Sequence, residues 1–351
     1  MIKIAAATSV AALMLAACGS SGGGSTGTGT SPSPSGSTTT IKVGMAYDVG
    51  GRGDQSFNDS AAVGLDLAAT EFNGLTVKEL SAAPQGETDA TRLERLTQLA
   101  EDGYDPIIAI GFAYAPSLTK VAAEYPDINF AIIDDASLAD EANVASLVFA
   151  EEQGSYLVGS IAAQASKSGT IGFMGGVNVP LIQKFQAGFE QGAKEVNPDI
   201  KILVKYLTEP PDFSGFNDAA KGQTAGQGMY DDGADVIYAA AGGSGAGAMK
   251  AAKVGSQWVI GVDSDQYKQP ALNAVKDVIL TSMLKRVNVA VYDMIKSCVD
   301  GTCLTGVQVF DLAKDGVGYS KSNSAVQPYE AETDALAAKI ISGEIVVADK
   351  L

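Results

Sequence analysis

Histidine is absent from all 351 residues of the sequence. The commonest general acid–base side chain and a frequent metal ligand are therefore missing. Cysteine is scarce, with three residues, and so is positive charge, with 24 Lys and Arg against 41 Asp and Glu and a net charge of −17. An acidic chain of this kind disfavours binding to nucleic acid. We therefore expect no metal site, no cofactor and no polynucleotide partner.

The first 18 residues have the pattern of a secretory signal peptide. Lys3 precedes an apolar run that ends at Ala17, and this run is too short to remain as a membrane-spanning helix. The tetrapeptide Leu15-Ala-Ala-Cys18 resembles a bacterial lipobox, which predicts that Cys18 is lipidated and holds the protein on the outer side of the cell membrane. An ordinary signal peptide with a chance cysteine is the alternative.

A tract of Gly, Ser, Thr and Pro without any charge occupies residues 19–40. Such a composition has almost nothing to bury and predicts a flexible tether. Random-coil scaling gives roughly 22 such residues a reach of about 25 Å. The tether would hold a folded domain clear of the lipid headgroups.

The two cysteines other than Cys18 lie close together in Cys298-Val-Asp-Gly-Thr-Cys303. In an oxidising compartment this pair is expected to close a small disulfide around the Asp300-Gly301 turn. A metal site would need further ligands.

From residue 41 onward, short β-rich runs alternate with amphipathic helical runs, as in the strand at 41–47 and the helix at 58–72. This alternation predicts α/β lobes, each with a doubly wound parallel sheet. The pattern restarts near residue 152, which indicates two lobes, and a long helix from about Thr281 to Val299 is predicted to cross back. The predicted lobes comprise residues 41–149 plus about 281–304, and residues 150–280 plus about 305–351.

Polar and aromatic residues follow several predicted strands, where open α/β sheets bind ligands. Asp48, Asp134 and Asp263 each end a strand. Phe57 begins a helix, where it either stacks on a flat ligand or packs the helix start. Phe213 and Phe216 share a flexible loop, and either is a candidate for a second stacking ring.

The glycine-rich turn Gly243-Ser-Gly-Ala-Gly247, with Asp263 further along, imitates a dinucleotide-binding fingerprint. Its glycine spacing is wrong by one residue, and it lies deep in the chain rather than in the first βαβ unit. The sequence also lacks a Gly-x-Ser-x-Gly elbow. Together with the missing histidine, these features argue against an enzyme and against catalytic residues.

Seven segments between residue 41 and the C-terminus form a specific set. They are Asp54-Gln-Ser-Phe57-Asn58, Phe130-Ala-Ile-Ile-Asp134, Ile171-Gly-Phe-Met-Gly-Gly176, Pro180-Leu-Ile-Gln-Lys-Phe-Gln-Ala-Gly-Phe189, Gly233-Ala-Asp-Val-Ile237, Ala241-Gly-Gly-Ser-Gly245 and Ile260-Gly-Val-Asp-Ser-Asp-Gln266. Together they resemble the basic-membrane-protein (BMP) lipoprotein family, the nucleoside-binding components of ABC importers. The resemblance implies a type I periplasmic-binding-protein fold, with the ligand enclosed between two hinged lobes.

The resemblance also implies a set of binding residues and partners. Phe57 and Phe216 would sandwich a purine, and Asp48 and Asn58 would lie near the base. Asp134, Gly242, Asp263 and Lys285 match the ribose-side contacts of the family. The implied protein is a monomer that captures a purine nucleoside and delivers it to an ABC transporter permease.

Three rival functions stay open at the level of sequence. The same fold binds sugars or signalling molecules, which also use aromatic platforms and paired carboxylates. A secreted hydrolase that works with Asp48, Asp134 or Asp263 is a second rival. A receptor or adhesin role is the third, and it is compatible with transport.

Overall fold

A computed structural model describes residues 41–82 and 87–351 of the chain. The predicted signal peptide, the lipidation site at Cys18 and the tether at 19–40 lie outside the described residues. The described part contains two sheets of six strands each. Both are built as the alternating sequence pattern predicts.

The elements follow one another in a regular strand–helix alternation. The strands are β1 (Lys42–Ala46), β2 (Thr76–Leu80), β3 (Ile107–Ala109), β4 (Phe130–Ile133), β5 (Val144–Phe149), β6 (Thr170–Val177), β7 (Lys201–Thr208), β8 (Val236–Ala240), β9 (Trp258–Asp263), β10 (Ile279–Lys285), β11 (Gly306–Phe310) and β12 (Val317–Tyr319). The helices are α1 (Phe57–Glu71), α2 (Asp89–Glu101), α3 (Ala115–Glu124), α4 (Glu151–Ala165), α5 (Pro180–Val196), α6 (Ala219–Asp231), α7 (Gly245–Gly255), α8 (Val287–Val299) and α9 (Gln327–Ile341).

The two sheets have matching strand orders. The first sheet runs β11-β5-β4-β3-β1-β2, and the second runs β12-β10-β9-β8-β6-β7. Every pairing is parallel except that between β10 and β12, which is antiparallel. In each sheet the strand order reverses beside the first strand, at β1/β3 and at β6/β8. Ligands of doubly wound sheets bind in the crevice at this reversal.

The central strands are buried on both faces, since helices cover each sheet. All residues of β4 and of β8 are buried, and their sequences Phe-Ala-Ile-Ile and Val-Ile-Tyr-Ala-Ala have no polar side chain other than a tyrosine hydroxyl. Continuous apolar strands of this kind are typical of parallel sheets. The outer strand β7 is mostly exposed or half-buried, as an edge position allows.

The chain crosses between the two sheets at three places, and two of them differ from the prediction. Residues 281–285 were expected to begin a helix, but they complete β10, which pairs with β9 and is buried along most of its length. The helix α8 starts only at Val287. Strand β11 was expected in the second lobe, but it pairs with β5 of the first sheet. The crossings therefore follow β5, β10 and β11.

Two further features concern a covalent link and the character of the helices. A disulfide joins Cys298 and Cys303 in the loop that follows α8. Among the residues that the structure describes, we find no helix with both the length and the apolar character needed to cross a bilayer.

Helices α4 and α5 approach each other closely because glycines line their contact. A Cβ atom added to Gly192 would lie 2.0 Å from the carbonyl oxygen of Tyr156, and one added to Gly188 would lie 2.1 Å from that of Glu152. Both obstacles are main-chain atoms, which cannot move without shifting a helix.

We expect Gly192→Ala to lower the free energy of unfolding by about 1–3 kcal/mol, because overpacking outweighs the better helix propensity of alanine. Urea denaturation measures this change. Gly228→Ala in α6 is the matched control, since nothing lies within 4 Å of its added Cβ. That control should raise the stability by about 0.5–1 kcal/mol. Equal effects from the two substitutions would contradict the packing argument.

Candidate functional site

A single cleft between the two sheets brings together all eight ligand-binding residues that the sequence predicts. The first lobe contributes Asp48, Phe57, Asn58 and Asp134, and the second contributes Phe216, Gly242, Asp263 and Lys285. They lie at the carboxyl ends of strands, in the turns that follow, or, for Phe57 and Asn58, at the start of α1. The cleft has an empty volume of about 580 Å³, including its opening to solvent.

Two half-buried phenylalanines from opposite lobes, Phe57 and Phe216, line this cleft. Phe57 is the first residue of α1, and Phe216 ends a short 3₁₀ turn after β7. Phe213, the alternative candidate in the same loop, is not among the residues that line the cleft. Its ring packs edge-on against Phe112 at a centroid distance of 5.8 Å and lies 5.8 Å from the Arg92 guanidinium.

The start of α1 is held by a buried carboxylate. Asp54 accepts hydrogen bonds from the main-chain N–H groups of Ser56, Asn58 and Asp59 at 2.8–3.1 Å. These donors would otherwise be unpaired at a helix N-terminus. Asp54 also accepts from the Asn58 side chain at 3.0 Å. The cap therefore fixes both the helix start and the orientation of Asn58.

The amide of Asn58 is committed to the loop that carries Asp48. Its Oδ1 accepts from the Asp48 main-chain N–H at 3.1 Å, and its Nδ2 donates to the Val49 carbonyl at 3.2 Å. The Asp48 carboxylate itself accepts from the Val49 N–H at 2.8 Å. Asn58 thus lines the cleft and also positions Asp48.

A buried lysine at the end of β10 is surrounded by carboxylates. Lys285 Nζ lies 2.6 Å from Asp134 Oδ2 and 3.2 Å from Glu151 Oε1. The second oxygen of Asp134, Oδ1, is buried without a hydrogen-bond partner. Asp134 and Asp263 both adopt positive φ angles, 71° and 64°, at the ends of their strands. Such backbone conformations are uncommon outside glycine and concentrate at functional sites.

Burial shifts the titration of the carboxyl groups in the cleft. Desolvation raises the pKa of Asp48 to about 6, although the Val49 N–H and the Arg92 charge oppose it. Burial also raises the pKa of Asp134 to about 7, even against the attraction of Lys285. The pKa of Asp263 is raised by the same cause. For Lys285, burial lowers the pKa, but Asp134, Glu151 and Asp263 outweigh it and raise the pKa overall.

Hydrogen bonds join the two lobes directly across the cleft. Ser56 Oγ donates to Asp263 Oδ2 at 2.5 Å, and Ser264 Oγ donates to the Ser56 carbonyl at 2.8 Å. Gln266 Nε2 donates to the Gln55 carbonyl at 2.9 Å. These three contacts, which we call the cross-cleft hydrogen bonds, define a closed arrangement of the lobes.

Sequence reasoning missed most of the apolar wall of the cleft. The additional lining side chains include Asp54, Phe112, Leu181, Ile182 and Phe185. Leu181, Ile182 and Phe185 lie on the first turns of α5, and Phe112 follows β3. The position of Phe112 after a strand at the sheet reversal was a usable signal. The apolar residues of α5 follow the same helical spacing as ordinary core residues, so their sequence does not distinguish them from the core.

The side chains that line the cleft suit the binding of a small polar molecule. Within residues 41–82 and 87–351, no group of three or more Cys, Asp or Glu side chains is placed to hold a metal ion. Four phenylalanine rings, several carboxylates and one cation offer stacking and hydrogen bonds to a flat, polar molecule.

Comparison with known proteins gives one consistent result. A protein-family model described as "ABC transporter substrate-binding protein PnrA-like" matches residues 41–350. The CD4+ T-cell-stimulating antigen of Listeria monocytogenes is 35% identical over 351 residues, covering 96% of this chain and 95% of the relative. The ABC transporter nucleoside-binding protein BmpA of Lactococcus lactis is 34% identical, covering 89% of this chain and 90% of the relative.

The fold also matches solved structures. An ABC transporter solute-binding protein from Aeropyrum pernix K1 superposes with a TM-score of 0.75 at 30% identity. The match covers 88% of this chain and 93% of that chain. The two parallel-sheet lobes thus form the type I periplasmic-binding-protein fold.

Proposed function

The chain belongs to the PnrA-like family of ABC transporter substrate-binding proteins, and from this premise we propose that it captures a purine nucleoside between its lobes and delivers it to a membrane permease. Members of the family bind solutes and are not enzymes. The observation that carries the nucleoside assignment is the pair Phe57 and Phe216, one ring from each lobe, lining the same cleft.

The two rings would hold the base by stacking. A purine offers two π-faces, so rings from opposite lobes complete the sandwich only when the cleft closes. Asp48 would then meet the edge of the base, since it lies just after β1 at the sheet reversal. The base would thereby couple ligand capture to lobe closure.

The ribose would occupy the end of the cleft where Asp134, Asp263 and Lys285 lie. Sugar hydroxyls are both donors and acceptors, which suits carboxylates beside one ammonium group. The unpartnered Oδ1 of Asp134 supports this assignment. A buried acceptor without a partner is costly, and a sugar hydroxyl would supply the missing donor.

The proposed setting is the outer side of the cell membrane. A lipid on Cys18 and the tether at 19–40 would keep a monomer next to the permease. Closure around the ligand by hinge rotation would produce the form that docks, and opening there would release the nucleoside.

Calorimetric titration of the purified protein tests the proposal. Guanosine, adenosine and inosine should bind with submicromolar affinity, while free ribose should give no signal. Uridine should bind less tightly, because a pyrimidine offers less stacking area. Binding of ribose or another sugar, with every nucleoside silent, would retain the fold but reject the nucleoside assignment.

Asp48 predicts how nucleoside preference depends on pH. Its carboxylate accepts the N1–H and N2–H donors of guanosine, whereas adenosine presents an acceptor at N1. The ratio of guanosine to adenosine affinity should be highest above pH 7. It should fall about tenfold toward pH 5, as Asp48 gains a proton through its pKa of about 6.

Titrations with both nucleosides from pH 5 to pH 8 measure this ratio. The ratio cancels the titration of Asp134 and Asp263, since both nucleosides carry the same ribose. In Asp48→Asn the ratio should not change with pH. A parent protein with a constant ratio would contradict the assignment of Asp48 to the base edge.

A further inference from the structure

The first two crossings between the lobes meet at a buried ion pair. Glu151 begins α4 directly after the crossing that follows β5, and Lys285 ends β10 directly before the next crossing. Their charged atoms, Oε1 and Nζ, lie 3.2 Å apart. The side chains of Glu151 and Lys285 are 1% and 2% exposed.

Glu151 lies outside the ligand cleft but contacts a residue that lines it. Its other oxygen, Oε2, accepts from Lys184 Nζ at 2.8 Å, and Lys184 also donates to the Phe149 carbonyl at 2.9 Å. The carboxylate therefore bridges an outer lysine to Lys285. Burying such a charge contributes little net stability, so stability alone is a weak reason for its presence.

The position of the Lys285 ammonium depends on the carboxylates around it. Three aromatic rings, those of Phe57, Phe149 and Phe185, lie with their centres 5.1–5.4 Å from Nζ. Rings attract the cation but fix no hydrogen-bond direction. Asp134 accepts from the ammonium on the first-lobe side at 2.6 Å. Glu151 Oε1 lies 3.2 Å from Nζ as an ion pair without a hydrogen bond, so its charge acts on where the ammonium lies.

We propose that Glu151 is a positioning residue, whose charge holds the Lys285 ammonium where one of its free N–H donors faces a ribose hydroxyl in the cleft. The proposal rests on the proposed nucleoside-binding function and assigns Glu151 no contact with the ligand. Without Glu151, Asp134 alone would attract the ammonium, which would shift from the place where it meets the sugar hydroxyl.

Calorimetry with Glu151→Gln, which keeps the size of the side chain and removes its charge, tests the proposal. Guanosine, 2′-deoxyguanosine and 3′-deoxyguanosine are titrated into parent and variant. The affinity for guanosine should fall roughly tenfold in the variant. For the deoxynucleoside that lacks the hydroxyl contacted by Lys285, parent and variant should bind almost equally.

Glu152→Gln is the matched control. Glu152 is the next residue in α4, and its carboxylate lies 3.3 Å from Lys184. This variant should bind guanosine as the parent does. Thermal unfolding of each variant checks that the fold is retained. If Glu151→Gln does not fold, Glu151→Asp keeps the charge, moves the carboxylate and should show the same pattern among the three ligands.

Two results would overturn the positioning role. One is a Glu151 variant that binds guanosine as tightly as the parent. The other is an equal loss for guanosine and both deoxynucleosides, which indicates a general structural effect. A parent protein that binds none of the three nucleosides would instead reject the proposed function, and the same titrations distinguish that case.

Discussion

Replacing Lys285 by methionine is expected to lower the free energy of unfolding by about 3–5 kcal/mol at pH 8, the largest change we predict for any single residue. Methionine retains most of the length of the side chain but not its charge. Asp134 and Glu151 would then be buried beside each other without the cation that lies 2.6 Å and 3.2 Å away. An uncompensated buried charge costs far more than a lost surface ion pair.

The destabilisation by Lys285→Met should shrink as the pH falls. Burial already raises the pKa of Asp134 to about 7 with Lys285 present. Removing the positive charge of Lys285 raises that pKa further, because this charge lowers it in the parent protein. A carboxyl with a raised pKa in the folded state binds protons that the unfolded chain releases, so stability falls as pH rises. At pH 5 the folded variant carries those protons, and part of the lost stability returns.

Urea denaturation at pH 5 and pH 8 measures both effects. Lys321→Met is the control, because its pair with Asp334 is exposed and such pairs contribute about 0–1 kcal/mol. Equal losses for the two lysine variants would show that Lys285 does not balance the buried carboxylates. A loss from Lys285→Met that is the same at both pH values would contradict proton uptake by Asp134.

Phe216→Ala is expected to weaken purine-nucleoside binding by about 1–3 kcal/mol, or about 5- to 150-fold in Kd. Removing the ring takes away one face of the proposed sandwich and leaves the base in contact with water. Calorimetry with guanosine measures the change. Because the ring is half-buried in a loop, the substitution should leave the melting temperature nearly unchanged.

Phe213→Ala provides a matched control from the same turn. Phe213 packs on Phe112 and Arg92, whereas Phe216 lines the cleft. The Phe213 variant should keep its guanosine affinity within about threefold of the parent. A larger loss from Phe213→Ala than from Phe216→Ala would assign the second stacking ring to Phe213 instead.

Much of the fold could be predicted from local sequence. Strand β1 and helix α1 begin and end within one residue of the bounds predicted at 41–47 and 58–72, because the local sequence pattern specifies each of them. The carboxyl ends of the strands also pointed to Asp48, Asp134 and Asp263, while the full set of eight residues that share the cleft came from the family resemblance. Parallel strands place their carboxyl ends at one edge, so a sequence position at a strand end carries spatial information.

The errors have one physical cause, which is that pairing between distant segments leaves no local pattern. The run Thr281-Ser-Met-Leu-Lys285 has no clear strand alternation, and only its parallel pairing with β9 specifies β10. Strand β11 alternates half-buried and exposed residues, but nothing within it indicates that its partner is β5 rather than a strand of the second sheet.

The placement of Phe216 rather than Phe213 in the lining of the cleft was equally hidden from sequence. Both rings occur in one short turn, and their directions depend on contacts that other segments provide. Phe112 covers Phe213, while Gly176 leaves room for Phe216: a Cβ added to that glycine would lie 2.4 Å from the Phe216 ring. Residues that line a cleft differ from core residues only through such distant neighbours.

The cross-cleft hydrogen bonds from Ser264 and Gln266 have a consequence for selectivity. They join protein to protein, so every ligand that allows closure receives their full contribution. They add the same free energy to the binding of each such ligand. The order of preference among ligands is set by the rings and carboxylates. Substitutions of these two side chains during evolution would therefore change the ligand concentration at which the protein binds, without changing which ligand it prefers.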